Sequence, residues 1–260
     1  MTTELTPLAV TAFSGGVVAL LLTLFGGGGS VLAVPLLLYV VGVADPHVAI
    51  GVSAAGVALN ALTALAGHAR AGRVRWPCAT LFAVTGAAGA WFGSSLAKMI
   101  DGHQLLLIFA VAMAAVGASM LRPKAAIARV EPRLNWSMSP RVGVAGVGVG
   151  SAAGFFGIGG GFLIVPGLMA STGMSLATAQ ATSLLSVAAF GATTAGNYAL
   201  SGWVDPGLVA AMAVGGVAGT AAGLPLARRL GSNARLGRIL FAGLILVVAA
   251  YVAVRAILAL

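Results

Sequence analysis

The stretch that decides the fold reads Gly26-Gly27-Gly28-Gly29-Ser30-Val31-Leu32-Ala33-Val34-Pro35. Its pattern recurs in the second half of the chain as Gly157-Ile158-Gly159-Gly160-Gly161-Phe162-Leu163-Ile164-Val165-Pro166. Both stretches lie inside long apolar regions, where consecutive glycines followed by a proline destabilise a continuous helix. The repeated pattern therefore predicts one interrupted helix at the same place in each half.

The composition is that of an integral membrane protein. Hydrophobic residues make up 60% of the 260 residues and charged residues only 7%, too few to cover a soluble core of this size. The net charge of +9 comes from basic residues in short loops between apolar runs, which indicates membrane topology and not nucleic-acid binding. The single cysteine, Cys78, excludes an internal disulfide framework. No basic residue precedes the first apolar run, so we expect no cleaved signal peptide.

Six apolar segments are long enough to cross a bilayer once, and two longer regions are each divided by a glycine stretch. The longer regions, 8–44 and 141–171, are expected to form hairpins of two short helices. We predict an all-α membrane protein with a first repeat (1–121), a cytoplasmic linker (122–140) and a second repeat (141–260). Each repeat has a Gly-broken helical hairpin followed by three transmembrane helices. The six single spans are 47–67, 76–97, 104–121, 176–200, 207–227 and 237–254.

The two halves align as an internal duplication. Pro35 matches Pro166 at an offset of 131 residues, and after a one-residue gap the offset becomes 130. The alignment persists through loops as well as spans. It pairs Ser53 with Ser183, Thr63 with Thr193, Gly72 with Gly202, and Gly86, Gly89 and Gly93 with Gly216, Gly219 and Gly223.

The basic residues favour inverted over parallel repeats. If each glycine-divided region crosses the membrane once, the repeats are parallel and the Lys and Arg residues split nine against five. If each region is a hairpin, the repeats are inverted and the split becomes twelve against two, with only Lys98 and Arg255 on the minority side. Because Lys and Arg concentrate on the cytoplasmic side, we predict inverted repeats with both termini outside.

The glycine stretches are the candidate substrate site. Irregular backbone survives at membrane depth only beside protein or a watery cavity, and glycines let a ligand approach backbone N–H groups. A helix that restarts after each break would present free N–H donors to an anion, with Ser30 as the expected N-cap of the first. We expect two such helix ends to share one anion. The candidate residues are Gly26, Gly27, Gly28, Gly29, Ser30, Gly157, Gly159, Gly160 and Gly161.

Polar residues recur at helical spacing in the span after each hairpin. Ser53 and Asn60 share one face of the first such span, and Thr182, Ser183 and Asn197 belong to its counterpart. These five side chains are candidate substrate ligands on cavity walls. Hydrogen bonding between neighbouring spans explains the same pattern equally well, so both interpretations stay open.

Acidic residues are confined to termini and loops, which limits the mechanism. No carboxylate lies in a span as a proton relay or cation site, and no catalytic constellation can be assembled from the three histidines. We therefore expect no enzyme activity, no catalytic residue, no metal site and no cofactor.

The chain resembles the sulfite exporter TauE/SafE family of membrane permeases from about residue 8 to 255. The resemblance rests on the paired glycine signatures, the run Ala179-Gln180-Ala181-Thr182-Ser183-Leu184, and the later Gly202 and Gly216/Gly219/Gly223 ladder. It implies transport of sulfur-containing oxyanions such as sulfite, or of organosulfonates. In the first repeat Ile50-Gly51-Val52-Ser53 stands where the second has Gln180-Ala181-Thr182-Ser183, so the two half-sites are not identical.

The resulting expectation is a secondary transporter, with export favoured, that binds a small anion near the midplane and alternates access. An anion channel built on the same glycine-lined donors is the alternative. We expect a multi-pass protein of a bacterial cytoplasmic membrane whose partners are the anion and the lipid bilayer. No nucleic acid is expected, and homo-oligomerisation, ion coupling and transport direction stay open.

Overall fold

The computed structural model describes residues 2–121, 138–157, 161–230 and 234–258, and these ranges form helices joined by short turns. A 3-10 helix, Gly26–Leu32, joins α1 to α2, and a π-helical turn, Leu37–Val41, follows α2. This order confirms the predicted all-α fold. The helices are α1 (Thr2–Phe25), α2 (Ala33–Leu36), α3 (Pro46–Arg70), α4 (Trp76–Ala97), α5 (Gly102–Leu121), α6 (Ser139–Phe156), α7 (Gly161–Thr172), α8 (Leu176–Ala199), α9 (Pro206–Leu230) and α10 (Ala234–Leu258).

Four helices among the described residues are long and apolar enough to cross a membrane. They lie in α1, α3, α8 and α9, the last three of which correspond to predicted single spans. The spans predicted at 76–97, 104–121 and 237–254 are also helices, namely α4, α5 and α10, but they do not belong to this group of four. The four segments are Pro7–Phe25, Pro46–Arg70, Leu176–Ala199 and Pro206–Ala227.

The central helices α3 and α8 begin and end on matching local signals. The Asp45 carboxylate accepts the N–H of His47 at 2.7 Å at the start of α3, and the Ser175 hydroxyl accepts the N–H of Thr178 at 3.3 Å at the start of α8. These are N-cap interactions that satisfy backbone donors left open at a helix start. Beyond the two C-termini, Gly72 and Gly202 adopt positive φ angles of 67° and 74°.

The two halves interleave through glycine-lined helix pairs. Gly150 of α6 lies against the backbone of Gly86 in α4, and Gly154 lies against Ala90, so backbone meets backbone along this interface. Because the contacts advance along both helices together, α4 and α6 run in the same direction. Helices α1 and α9 pair in the same way, with contacts Gly15–Met212, Gly16–Gly219 and Thr23–Gly223. The first helix of each half therefore packs against the other half.

Helix α3 runs in the same direction as α1. The Asn60 side-chain Nδ2 lies 3.4 Å from the carbonyl oxygen of Gly15, and His68 Nε2 lies 3.3 Å from that of Thr23. Both helices advance together between these contacts, so the chain between them must run back. Region 8–44 is therefore a hairpin and not a single crossing.

Part of the predicted linker 122–140 can be described. Helix α6 begins at Ser139, inside that segment, while residues 122–137 lie outside the described residues. The repeat boundaries stay a prediction.

Candidate functional site

The first glycine stretch ends α1 and reverses the chain. Gly26 is buried with a φ angle of 65°, and a Cβ atom added there would lie 2.6 Å from the carbonyl oxygen of Gln180 in α8. A Cβ atom at Gly29 would overlap the backbone of Leu21 and Leu22 in α1. The stretch therefore needs glycine for conformation at one position and for close backbone approach at two.

Ser30 does not cap a helix, contrary to the sequence-based expectation. It is completely buried inside the 3-10 helix, and α2 begins only at Ala33 with Leu32 in the N-cap position. The Ala33 N–H donates to the Ser30 carbonyl oxygen, so the 3-10 helix runs directly into α2. The N-cap prediction was wrong because the glycines wind a tight helix and leave no extended residue before the restart.

The second glycine stretch is described at its two ends. Gly157 ends α6 in the left-handed conformation with a φ angle of 66°, and Gly161 begins α7. The candidate residues Gly159 and Gly160 lie outside the described residues. A Cβ atom at Gly157 would overlap the Ile50 side chain, and the Ser53 hydroxyl lies 3.2 Å from the Gly157 carbonyl oxygen. The predicted site residues Ser53 and Gly157 are thus brought together.

The two breaks contact matching positions of the central helices. Gly26 packs on Gln180 of α8, and Gly157 packs on Ile50 of α3. Ile50 and Gln180 are themselves related by the 130-residue offset of the duplication. Each hairpin therefore reaches across to the central helix of the other half at an equivalent point.

The ends of α1 and α6 lie near opposite ends of α3. Gly157 packs on Ile50 near the start of α3, whereas Thr23, just before the first break, approaches His68 in the last turn. Ile50 and His68 are separated by about 27 Å along the helix axis, from the α-helical rise of about 1.5 Å per residue. The first glycine stretch nevertheless lies within Gly26–Leu32, which packs against α7, the helix that begins at Gly161 of the second stretch.

The polar residues of α3 face α1 and α9. Asn60 is fully buried, with its Nδ2 near Gly15 of α1, and its Oδ1 is one of the buried side-chain atoms without a hydrogen-bond partner. The Thr63 hydroxyl lies 3.2 Å from that of Thr220 in α9. Asn60 and Thr63 therefore both contact neighbouring helices.

Thr182 and Asn197 of α8 contact α4 and the turn before it, whereas Ser183 hydrogen-bonds within its own helix. The Thr182 hydroxyl accepts the backbone N–H of Arg75 at 3.2 Å, and the Ser183 hydroxyl donates to the Gln180 carbonyl oxygen at 2.8 Å. Asn197 Nδ2 donates to the Ser94 hydroxyl of α4 at 2.7 Å. The stripes of α3 and α8 thus contact different helices, and these contacts do not bring Asn60 together with Thr182, Ser183 or Asn197.

A cavity of about 480 Å³ opens between α3 and α8, on faces other than the polar stripes. Only alanine and leucine side chains line it, which offers no donor to an anion. None of the candidate site residues lines it. Its lining residues are Ala55, Ala58, Leu59, Leu62, Leu185, Ala188, Ala189, Ala192 and Ala195.

Charged groups of the described chain lie at helix ends. The Asp205 carboxylate accepts the N–H of Gly207 at 2.7 Å at the start of α9, as Asp45 does for α3. The described residues contain no group of three or more His, Cys, Asp or Glu side chains that could hold a metal ion. One charged contact was missed by sequence reasoning. Lys98, assigned only a topological role there, hydrogen-bonds the Asn197 side chain at 2.8 Å.

Comparison with known proteins gives a family and several relatives. The family model described as sulfite exporter TauE/SafE matches residues 11–252. A probable membrane transporter protein of Xylella fastidiosa (strain Temecula1) is 46% identical over 246 residues, covering 94% of each chain. The probable membrane transporter protein YdhB of Bacillus subtilis (strain 168) is 27% identical over 201 residues, covering 76% of this chain and 80% of the relative. No solved structure matches.

Proposed function

The chain belongs to the sulfite exporter TauE/SafE family, and from this membership we propose that it is a secondary transporter that exports a small sulfur-containing oxyanion such as sulfite or an organosulfonate. It is a multi-pass membrane protein, and we place it in the bacterial cytoplasmic membrane. The family match over residues 11–252 is the observation that carries the proposal. The relative from Xylella fastidiosa, named a probable membrane transporter protein, supports it.

The proposed binding region is where the returning segments of the two hairpins pack together, between Gly26–Leu32 and α7. The proposal keeps the sequence-based expectation that the two glycine stretches share one anion. Backbone N–H groups and hydroxyls of the glycine stretches would hold the anion, since neutral donors and backbone dipoles can stabilise a negative charge without a cationic side chain. The candidate residues Gly26, Gly28, Gly29, Ser30, Ser53, Asn60, Gly157, Thr182, Ser183 and Asn197 are buried, which favours a carrier over an open channel.

Helix directions support inverted repeats and alternating access. Within the first half α1 and α3 run in one direction, and α9 of the second half runs with them, while α4 runs with α6. Helix α4 begins in the turn after α3, and its Gly93 meets Phe155, just before the Gly157 that packs on Ile50 near the start of α3, so α3 and α4 run in opposite directions. The first helix of one half, α1, therefore runs opposite to the first helix of the other, α6. Rocking of such halves about a shared site would expose it to each side in turn.

Export of an anion needs no coupling ion in an energised cell. Each negative charge that moves outward across an inside-negative membrane releases about 2.3 kcal/mol per 100 mV. Together with the family's description as sulfite exporters, this energetic argument favours export over import.

The function is tested with purified protein in proteoliposomes. We expect sulfite, thiosulfate or a simple sulfonate, but not chloride, to raise the thermal unfolding temperature and to drive saturable counterflow of the same anion. Large single-channel currents without counterflow would indicate that the protein is a channel and not a carrier. Absence of both binding and flux for every sulfur-containing anion would refute the proposed substrate class.

Inversion is tested by cysteine labelling at matched turns. Ala71 follows α3 and Leu200 follows α8, and both are exposed. In a Cys78→Ala background, a membrane-impermeant maleimide should label Ala71→Cys and Leu200→Cys from opposite sides of the membrane. Labelling of both cysteines from the same side would indicate parallel repeats.

A further inference from the structure

Five polar residues tie the C-terminal ends of α4 and α8 together. Lys98 Nζ donates to the Asn197 carbonyl oxygen at 3.1 Å, to Asn197 Oδ1 at 2.8 Å and to the Ser201 hydroxyl at 3.0 Å. Asn197 Nδ2 in turn lies 2.7 Å from the Ser94 hydroxyl and 2.9 Å from the Ser95 hydroxyl. We call Ser94, Ser95, Lys98, Asn197 and Ser201 the polar latch.

The polar latch is saturated and has little capacity left for a ligand. An ammonium group has three N–H donors, and those of Lys98 are all engaged. The Asn197 side chain is only 3% exposed, and both ends of its amide are hydrogen-bonded. Hydrogen bonds from a charged donor are among the stronger ones in proteins, so this cluster holds α4 against α8 at that end.

The other half does not carry the same set of residues at its equivalent end. The 130-residue offset places Arg228 opposite Lys98, but it places Gly67, Leu224, Pro225 and Ala71 opposite Asn197, Ser94, Ser95 and Ser201. A Cβ atom at Gly67 would lie 2.7 Å from the Leu224 side chain, so α3 and α9 meet there through an apolar contact. The two ends of the molecule thus differ at the positions of Asn197 and its serine partners.

A second contact holds the same end of the molecule. The turn after α8 carries Trp203, whose ring stacks on His47 at the start of α3 with centroids 4.7 Å apart and an interplanar angle of 17°. This turn begins next to Ser201 of the polar latch. It is therefore fixed from α4 by Lys98 and from α3 by His47.

We propose that the polar latch is a gate lock that holds the resting transporter closed at the Lys98 end. The inference rests on the proposed alternating-access function and adds to it the residues that bias the resting state. Opening this end requires α4 to separate from α8, which breaks every hydrogen bond of Lys98 and Asn197. At the Gly67 end no side chain stands in the place of the Asn197 amide, so this set of hydrogen bonds favours one access state over the other.

The lock is tested by the accessibility of matched buried cysteines, without substrate. Ser53, next to Gly157, reports on the Lys98 end, and its duplicate Ser183 reports on the other end; both are fully buried. In a Cys78→Ala background we compare Lys98→Met, which removes the ammonium group at similar length, with Lys98→Arg, which keeps a charged donor. The control Arg255→Met removes an exposed positive charge that lies over the Tyr39 ring outside the latch.

We expect Lys98→Met to raise the labelling rate of Ser53→Cys by a methanethiosulfonate reagent at least tenfold, without accelerating Ser183→Cys. Lys98→Arg should retain most of the protection, and Arg255→Met should leave both rates unchanged. Unchanged labelling of Ser53→Cys in a folded Lys98→Met protein would overturn the lock. Equal acceleration of both cysteines would also overturn it, because that result indicates general loosening.

If the Lys98→Met variant misfolds, a second variant tests the lock. Ser201→Ala removes one exposed hydrogen-bond partner of Lys98 and should raise the Ser53→Cys labelling rate about twofold, and no change there would count against the lock. Because labelling is measured without substrate, a failed transport assay would refute the proposed function while leaving this result interpretable.

Discussion

Replacement of Gly26 by alanine separates the two reasons why the first break needs glycine. Gly26 has a φ angle of 65°, and its missing Cβ would lie 2.6 Å from the Gln180 carbonyl oxygen and 2.7 Å from the Gln180 Cα atom. Gly72, in the turn after α3, has nearly the same φ angle of 67° but no atom within 4 Å of a Cβ. The pair Gly26→Ala and Gly72→Ala therefore shares the backbone strain and differs in the steric overlap.

The expected losses follow from these two terms. A left-handed conformation costs an alanine about 1–2 kcal/mol, so Gly72→Ala should lower the free energy of unfolding by about that amount. Overlap with a fixed backbone adds about 1–3 kcal/mol at Gly26, as in other overpacked sites. We expect Gly26→Ala to lose about 2–5 kcal/mol in total.

The measurement is unfolding of purified protein in detergent, followed by tryptophan fluorescence, together with counterflow in proteoliposomes. Gly26→Ala should also impair transport, because relief of the overlap displaces the start of α8, where Thr182 and Ser183 lie. Gly72→Ala should transport like the wild type. Equal losses of stability in the two variants would refute the argument that Gly26 is needed for close approach to α8.

Two further predictions concern helix packing. Gly150→Ala should destabilise the protein by about 1–3 kcal/mol or more, since the new Cβ overlaps the Gly86 backbone. The control Gly148→Ala, with open space around its Cβ, should be neutral or stabilising by up to about 1 kcal/mol; similar thermal shifts for both would contradict the tight α4–α6 contact. Thr63→Val removes the hydroxyl contact with Thr220 and should cost only about 0.6 kcal/mol in unfolding measurements. A loss of transport without a loss of stability would indicate that the Thr63 hydroxyl binds the substrate.

The helices and their breaks could be predicted from the sequence because their signals are local. The predicted span 76–97 has the bounds of α4, and 47–67 lies within α3. The breaks at Gly26 and Gly157 were predicted because consecutive glycines oppose helix formation wherever they stand. In both cases the decisive interactions involve residues close in the chain.

The partners of each helix could not be predicted in the same way. The glycine ladders of α4 and α6 each indicate a face made for close packing, but nothing in either ladder shows that Gly86 meets Gly150. A small residue fits any backbone that approaches it. The interleaving of the halves therefore depends on long-range packing that periodicity does not report.

The polar residues of the candidate site were ambiguous for a related reason. A buried amide such as Asn197 must find hydrogen-bond partners, and a substrate or a neighbouring helix satisfies it equally well. Its described partners lie on α4, about a hundred positions away in the chain, and include the Lys98 ammonium group. The sequence placed Lys98 on the minority side of the charge distribution but gave no reason to connect it with Asn197.

Positions at which the two halves differ determine which access state an inverted-repeat transporter prefers at rest. Two identical inverted halves would give inward-open and outward-open states of equal energy, because exchanging the halves converts one state into the other. A preferred resting state then has to come from positions where the halves differ. Gln180 against Ile50 changes what surrounds each break, and Asn197 against Gly67 changes what closes each end. Exchanging the residues at such matched positions should therefore move the resting state of an inverted pair toward the opposite side, whereas the same exchange at positions identical in both halves changes nothing.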